Sequence, residues 1–472
     1  MVSVSPYARL KGSGPFSLSA RVLACLVAAL LLAWAAPLRA QQAAPAQATA
    51  ERAPATADFG KLFDAVVETT AKSFWDKERL AGIGWEKRAA EVRQSVVDAP
   101  SLEEAARRIN DLLAELKTSH TTLLTPDDVD YYILLAVFGG ARGMPQEEFD
   151  ERFWGAGVTY AGIGHFSVRI EGRNFVDAVL EGSPAARVGL KVGDEILDVD
   201  GAPYHPIRSF RGKVGHRVGV TIRRARDGPP ETLHMPVMSI APLHAFRQAT
   251  RASARVIERD GRRIGYVHVW ASVGDESVSA LGDALASLTE TGSTRLEERT
   301  PRVPPRPVDG LIIDMRGKIG GTARTANRYL DIIDPRGPLL GSRVKSPGSR
   351  TTVRRRTAVL TDHHTRSTAE LFVHSYKRER QGPLIGTRTA GAVSAGSTFA
   401  MPGGNLLYLA VSGLEIDGDV LEGPGVAPDI EVARPIPYVQ GADPVLDRAI
   451  DFLARKTIPR VAPERRQPAG SN

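Results

Sequence analysis

Cysteine is nearly absent from this chain: Cys25 is the only one in 472 residues. It stands at the start of an apolar run shortly after Arg21, with no hydrophobic region ahead of it of the kind a lipid-attachment cysteine requires. A disulfide framework is therefore excluded, and the chain is long enough to bury a core without one. Long hydrophobic runs are scarce as well. The single one, Val22 to Pro37, is short for a membrane span, and no second stretch follows it. A strong surplus of one charge is also missing. The formal charge is +7, but residues 1–40 hold Arg9, Lys11, Arg21 and Arg39 and no acid, so the remainder carries 57 basic against 54 acidic residues. That balance leaves no electrostatic footprint for nucleic acid, and no nucleic-acid partner is expected. The short Arg354-Arg355-Arg356 run reads as a solvated face.

What is present divides the chain into segments. The basic start, the apolar run and Leu38-Arg39-Ala40 have the order of a signal peptide over residues 1–40. Export without disulfides fits a periplasmic or secreted bacterial protein, tethered if the signal is not cleaved and without a stable membrane span after cleavage. Residues 41–57, rich in Ala, Gln and Pro, read as a flexible leader. Residues 58–150 begin with helical periodicity: Phe59, Leu62, Phe63, Val66 and Val67, then a helix from Trp85 to Val97, then a third from the capping box Ser101-Leu-Glu-Glu104 to about Lys117.

Residues 155–240 change to short alternating strands such as Phe175–Val179 and Val218–Ile222. Pro184 suits a helix start, Gly189 a helix end and Asp200-Gly201 a hairpin turn. Residues 241–455 alternate strands and helices in the manner of an α/β core, interrupted by a charged insertion at 290–307. Residues 456–472 read as a disordered tail.

Ser367-Thr368-Ala369-Glu370 lies between the apolar strand Ala358-Val359-Leu360 and a helical segment. Two readings stand side by side. One is a capping box. The other is a nucleophilic serine at a strand-to-helix junction, where helix N–H groups stabilise an oxyanion. Other residues carry similar alternatives. His120 reads as a helix C-terminal histidine or as a general base, Glu422 as a surface acid or as an orienter, and Gly320-Gly321 as a tight turn or as a close backbone approach to a ligand. His363 and His364 lie close to Ser367, but no further ligand pattern accompanies them, so no metal and no cofactor are expected.

The block Glu181 to Gly201 closely resembles a PDZ domain, and Ala161-Gly162-Ile163-Gly164 resembles its carboxylate-binding loop. Such a domain receives a peptide as an added strand, which assigns Gly162, Ile163 and Gly164 to peptide binding. With Leu116–Thr121, Asp314–Gly321, Ser367–Glu370, Gly386–Gly391 and Glu422–Asp429 in that order, the chain resembles the C-terminal-processing (tail-specific) serine peptidases. The resemblance spans about residues 58–455. It implies a multidomain α/β protein: an N-terminal helical region, an inserted PDZ β-domain and a crotonase/ClpP-like α/β peptidase core. Many members use a Ser–Lys pair, with the lysine about 25 residues after the nucleophile. Here that count falls on Ala392, and no lysine lies between Arg378 and Ala454.

The resemblance therefore points to the tricorn-core-like branch. It implies Ser367 as nucleophile, His120 as base, Glu422 and Ser119 as orienters, and the backbone N–H groups of Gly320 and Thr368 as oxyanion donors. Partners are then protein or peptide substrates, with an oligomer left open. The alternative is a catalytically inactive, peptidase-like PDZ binding protein. Lys318, where relatives often carry Asn, and Arg366 beside the nucleophile keep that alternative in view.

Overall fold

The computed structural model describes residues 58–153, 157–288, 307–317, 320–321, 323–333, 356–416 and 418–455. The expected signal peptide, leader and tail, most of the charged insertion, and Lys318 lie outside the described residues. Among those described, no helix is long and apolar enough to cross a membrane.

Four helices open the fold, at Phe59–Ser73, Lys77–Ile83, Trp85–Val97 and Leu102–Ala114. Asp58, Asp76 and Ser101 cap three of them by accepting an N–H three residues on. The fourth ends at Ala114, not at Lys117 as its periodicity predicts. The chain then turns through Lys117 (φ 46°) and His120 (φ 56°) into β1 (Thr122–Leu124). The helices Val129–Phe138 and Gln146–Phe153 follow. The first of these is apolar nearly all round, which hides its period.

The PDZ-like segment comprises β2 (Tyr160–Gly162), β3 (His165–Ile170), β4 (Arg173–Val179), β5 (Glu195–Val199), β6 (Ala202–Pro203), β7 (Arg217–Arg223), β8 (Pro230–Pro236) and β9 (Met238–Ile240). Its main sheet runs β3-β4-β5-β7-β8, with β6 beside β5 and a separate antiparallel β2-β9 pair. Pro184 starts a one-turn helix, and Gly189 follows it at φ 79°. Asp200 and Gly201, at φ 54° and 79°, make the β5–β6 turn.

The α/β core holds β10 (Arg255–Arg259), β11 (Arg262–His268), β12 (Gly310–Asp314), β13 (Arg356–Thr361) and β14 (Leu384–Gly386). β15 (Ala395–Met401), β16 (Asn405–Ser412) and β17 (Ile430–Glu431) complete the strands. The main sheet is ordered β10-β11-β12-β13-β14-β17 and is parallel from β11 onward. Both faces are covered, so its strands read as continuous apolar runs. Leu311 and Ile313 pack towards helices Gly274–Ser287, Ala323–Ile333 and Thr368–Arg378, while Ile312 packs with Ala358, Leu360 and helix Pro444–Ala454. The parallel order aims the C-terminal ends of β12 and β13 at one edge, where Gly320 and Ser367 follow them.

One arrangement crosses the expected segment boundaries. The β15–β16 hairpin pairs with β1 instead of joining the main sheet, and Met401, Leu407, Leu409 and Ala410 share a core with the N-terminal helices.

Candidate active site

Ser367 follows β13 and precedes helix Thr368–Arg378 with φ 55° and ψ −127°. That is near the mirror image of extended backbone, a region essentially reserved for glycine. The capping expectation fails here: Ser367 makes no side-chain cap, and its N–H donates to the Ala392 carbonyl at 2.8 Å. Glu370 binds a neighbouring loop. Its carboxylate accepts from the Thr389 hydroxyl at 2.5 Å and from the N–H groups of Gly391 and Ala392 at 2.8 and 2.7 Å. The hydroxyl of Ser367 is thus free of the helix end.

Gly320 faces it. A Cβ built on Gly320 would lie 2.7 Å from Ser367 Oγ and 2.9 Å from the Thr368 nitrogen, so only glycine fits. Thr368 is the first residue of its helix, and its N–H has no intrahelical acceptor. The Gly320 carbonyl accepts from the Ser272 N–H at 3.0 Å, which holds this strip of backbone against β11's exit. At Gly321 a Cβ would fall 1.5 Å from the Ser272 carbonyl oxygen, which excludes any other residue.

The turn bearing Ser119 and His120 is pinned from below. One Arg79 nitrogen donates to the carbonyls of Leu116 and Lys117 and to the Thr118 hydroxyl, each at 3.0 Å. His120 lies six residues beyond the last helical residue, so the helix-dipole reading fails. Its Nδ1 is 2.6 Å from Ser119 Oγ, and that hydroxyl donates to Glu422 Oε2 at 3.0 Å. A hydroxyl has one proton. Since Ser119 gives its proton to the carboxylate, it accepts from His120, which fixes the proton on Nδ1 and leaves Nε2 as a lone pair. Glu422 also accepts the N–H groups of Ser119 (2.7 Å), Val393 (2.9 Å) and Ser394 (2.8 Å). Burial opposes its charge, but these donors and the Ser119 hydroxyl outweigh that and hold it below the usual carboxylate range.

Loop 389–394 joins the two halves. Ala392 takes the Ser367 N–H on its carbonyl, and the next two N–H groups bind Glu422. The position where a Ser–Lys enzyme keeps its base is here a backbone bracket. Among the described residues, no hydrogen bond joins Ser367 to His120.

Two further residues shape the site. The Tyr408 ring stands edge-on to His120, with centroids 5.0 Å apart. Gly396 makes room for it, since a Cβ there would lie 2.3 Å from the Tyr408 ring. A glycine inside a strand was the available signal for this close approach. Arg366 lies close enough to depress the pKa of His120. Burial is the main cause, Glu422 opposes it and Arg366 adds to it, and together they bring the imidazole down to about 4. His364 Nε2 pairs with Asp177 of β4 at 2.8 Å. Among the described residues, no group of His, Cys, Asp and Glu could hold a metal.

Comparison with known proteins bears on the fold and its segments. Residues 263–432 match the peptidase family S41 model, and residues 175–224 match a PDZ domain model. The chain is thus similar to peptidase family S41 across its α/β core and to PDZ domains across part of the segment before it. The protein is 26% identical over 84% of its length to a putative tricorn protease homolog 2 of Streptomyces coelicolor, covering 32% of that protein. It is 24% identical over 63% of its length to the carboxy-terminal processing protease CtpA of Bacillus subtilis, covering 62% of it. It is also 22% identical over 84% of its length to a tricorn protease of Thermoplasma volcanium, covering 36% of it. The chain thus spans about a third to three fifths of these relatives.

In the PDZ-like segment, the carbonyls of Ile163 and Gly164 accept from the N–H groups of Ala185 and Leu180 at 3.0 and 2.9 Å. Gly162 ends β2, and Gly164 turns at φ 85° with no room for a side chain beside Ser183. Among the described residues, β3 has a strand neighbour on one side only.

Proposed function

We propose that the protein is an exported serine endopeptidase in which Ser367 attacks the peptide carbonyl. The observation that carries this reading is the relay Glu422–Ser119–His120, whose single consistent proton arrangement leaves His120 Nε2 basic. In the proposed mechanism His120 takes the Ser367 proton as Oγ bonds to the carbonyl carbon. The imidazolium is stabilised through Ser119 by the Glu422 charge. The N–H groups of Gly320 and Thr368 receive the oxyanion. On collapse His120 protonates the leaving amine, and water then hydrolyses the acyl-enzyme by the same steps in reverse.

The open edge of β3, beside the Gly162–Gly164 loop, supports capture of a peptide C-terminus or an unfolded segment as an added strand. The names of the relatives, tricorn and carboxy-terminal processing proteases, support the same substrate class. Incubating the mature chain with casein and reading cleavage products by mass spectrometry tests the reading. Products from the parent and none from Ser367→Ala support it; no products from the parent refute it.

A second reading, a catalytically inactive PDZ binding protein, is favoured by one observation: the unmade Ser367–His120 hydrogen bond. Catalytic hydrogen bonds are commonly long before substrate arrives, which keeps the peptidase reading first. Peptide binding without turnover, unchanged in Ser367→Ala and His120→Ala, would favour the second reading.

A further inference from the structure

Arg366 differs from several arginines of this fold, and Arg448 is the other with a buried nitrogen that has no hydrogen-bond partner among the described residues. The buried or half-buried Arg316, Arg434, Arg223 and Arg224 each meet a carboxylate: Asp314 and Asp443, Asp177 and Asp362, Glu195, and Asp194. Arg366 is half-buried too, yet its Nε is fully buried with no hydrogen-bond partner, and no carboxylate among the described residues forms an ion pair with it. Taking a guanidinium out of water without a counter-charge is costly. The cation also sits beside the nucleophile, on the side of His120 and Tyr408, both of which feel its charge. The flank of this corner is aromatic: Tyr408 packs against Phe138 at 5.8 Å, and Phe138 is 41% exposed.

A rigid, planar, unpaired donor beside a reactive centre is a receptor for a planar anion. We propose that Arg366 receives a carboxylate of the bound peptide close to the scissile bond, which makes the site selective for acidic substrates. The carboxylate has two sources, an Asp or Glu side chain or the peptide's own C-terminus, and both present the same two oxygens. The inference rests on the peptidase reading for its consequence in cleavage, but the binding it asserts is measurable without cleavage.

The test uses the full mature chain carrying Ser367→Ala and fluorescent peptides read by anisotropy. One series is C-terminally amidated, which silences the PDZ carboxylate loop, and carries a single Glu or Gln walked along the sequence. A second series compares free acids with amides. A charge-assisted hydrogen bond is worth roughly 1.5–3 kcal/mol, or about tenfold to hundredfold in affinity. The expected result is a gain of that size for Glu over Gln at one position, or for acid over amide. It is lost in Ser367→Ala/Arg366→Gln and partly kept in Ser367→Ala/Arg366→Lys, which retains charge without the fork. A gain confined to the amidated series identifies a side-chain carboxylate, and one confined to free acids identifies the terminus. Equal affinities throughout, no binding of any acidic peptide, or a gain that survives Arg366→Gln would overturn the inference. An Arg366-dependent gain together with a parent that never cleaves would fault the peptidase reading instead, and cleavage indifferent to acid would fault this one.

Discussion

Ser367 and His120 both stand at positive φ, a conformation that a side-chain-bearing residue adopts at a cost of about 1–3 kcal/mol. Such strain is expected where a hydroxyl must be lifted clear of its helix. Replacing Ser367 by Gly should therefore raise stability by about 1 kcal/mol over Ser367→Ala, as thermal melts of the two inactive variants would show. Equal melting would mean the backbone is not strained there. His120 gives a second prediction. Its pKa is pulled from an ordinary value near 6.5 down to about 4, so the imidazole stays neutral through pH 5–6 and is protonated only as pH falls towards 4. The acid limb of kcat/KM should lie correspondingly low. It should move to higher pH in Arg366→Gln, which removes a cation, and lower still in Glu422→Gln, which removes an anion. An acid limb near 6.5, unmoved by either change, would contradict this. The sequence makes these residues readable as a candidate set because their types and order resemble a known pattern. It does not reveal Tyr408, whose place beside His120 depends on a hairpin folding back, with only Gly396 as a hint.

At the scale of elements, the structure gives Glu370 a different task from the one its spacing advertises. Ser-x-x-Glu is the pattern of a capping box, but the serine turns outward and the glutamate instead organises loop 389–392. Pattern alone cannot distinguish the two, because the choice depends on a loop some twenty residues away that offers three better donors. Glu370→Ala should cost about 3 kcal/mol by orphaning those donors. Because Ala392 leads directly into Val393 and Ser394, which bind Glu422, the variant should also lose activity while still binding peptide. A neutral melt would refute the bracket. Strand and helix positions in the core were legible for a plainer reason: buried parallel strands such as Leu311-Ile312-Ile313 are apolar on both faces and flanked by turn residues.

Across the whole molecule, polar contacts tie the PDZ-like segment to the loop that leads to Ser367. Asp177 of β4 pairs with His364 at 2.8 Å and with Arg434 at 3.3 Å, and Arg434 reaches Asp362 at 3.4 Å. Glu181 accepts from the Trp270 indole at 2.6 Å and lies 2.9 Å from His268. Removing one member of a buried charge cluster strands the rest, so Asp177→Ala should destabilise by about 3–5 kcal/mol. Melting should then split, with the PDZ domain unfolding first; a single unshifted transition would show that the cluster carries no such load. None of these pairs is legible in sequence, since partners lie up to some 250 residues apart. The same holds for the β15–β16 hairpin inside the N-terminal helical core. Order along the chain suggested separate segments, whereas burial of the hairpin's apolar face joined two of them.

The claim on which the rest depends is that His120 activates Ser367. Fluorophosphonate labelling of the mature chain, followed by peptide mass mapping, measures it directly. The account predicts one adduct, on Ser367, formed at least about 100-fold more slowly in His120→Ala. An adduct elsewhere, or equal rates in the parent and His120→Ala, would contradict it.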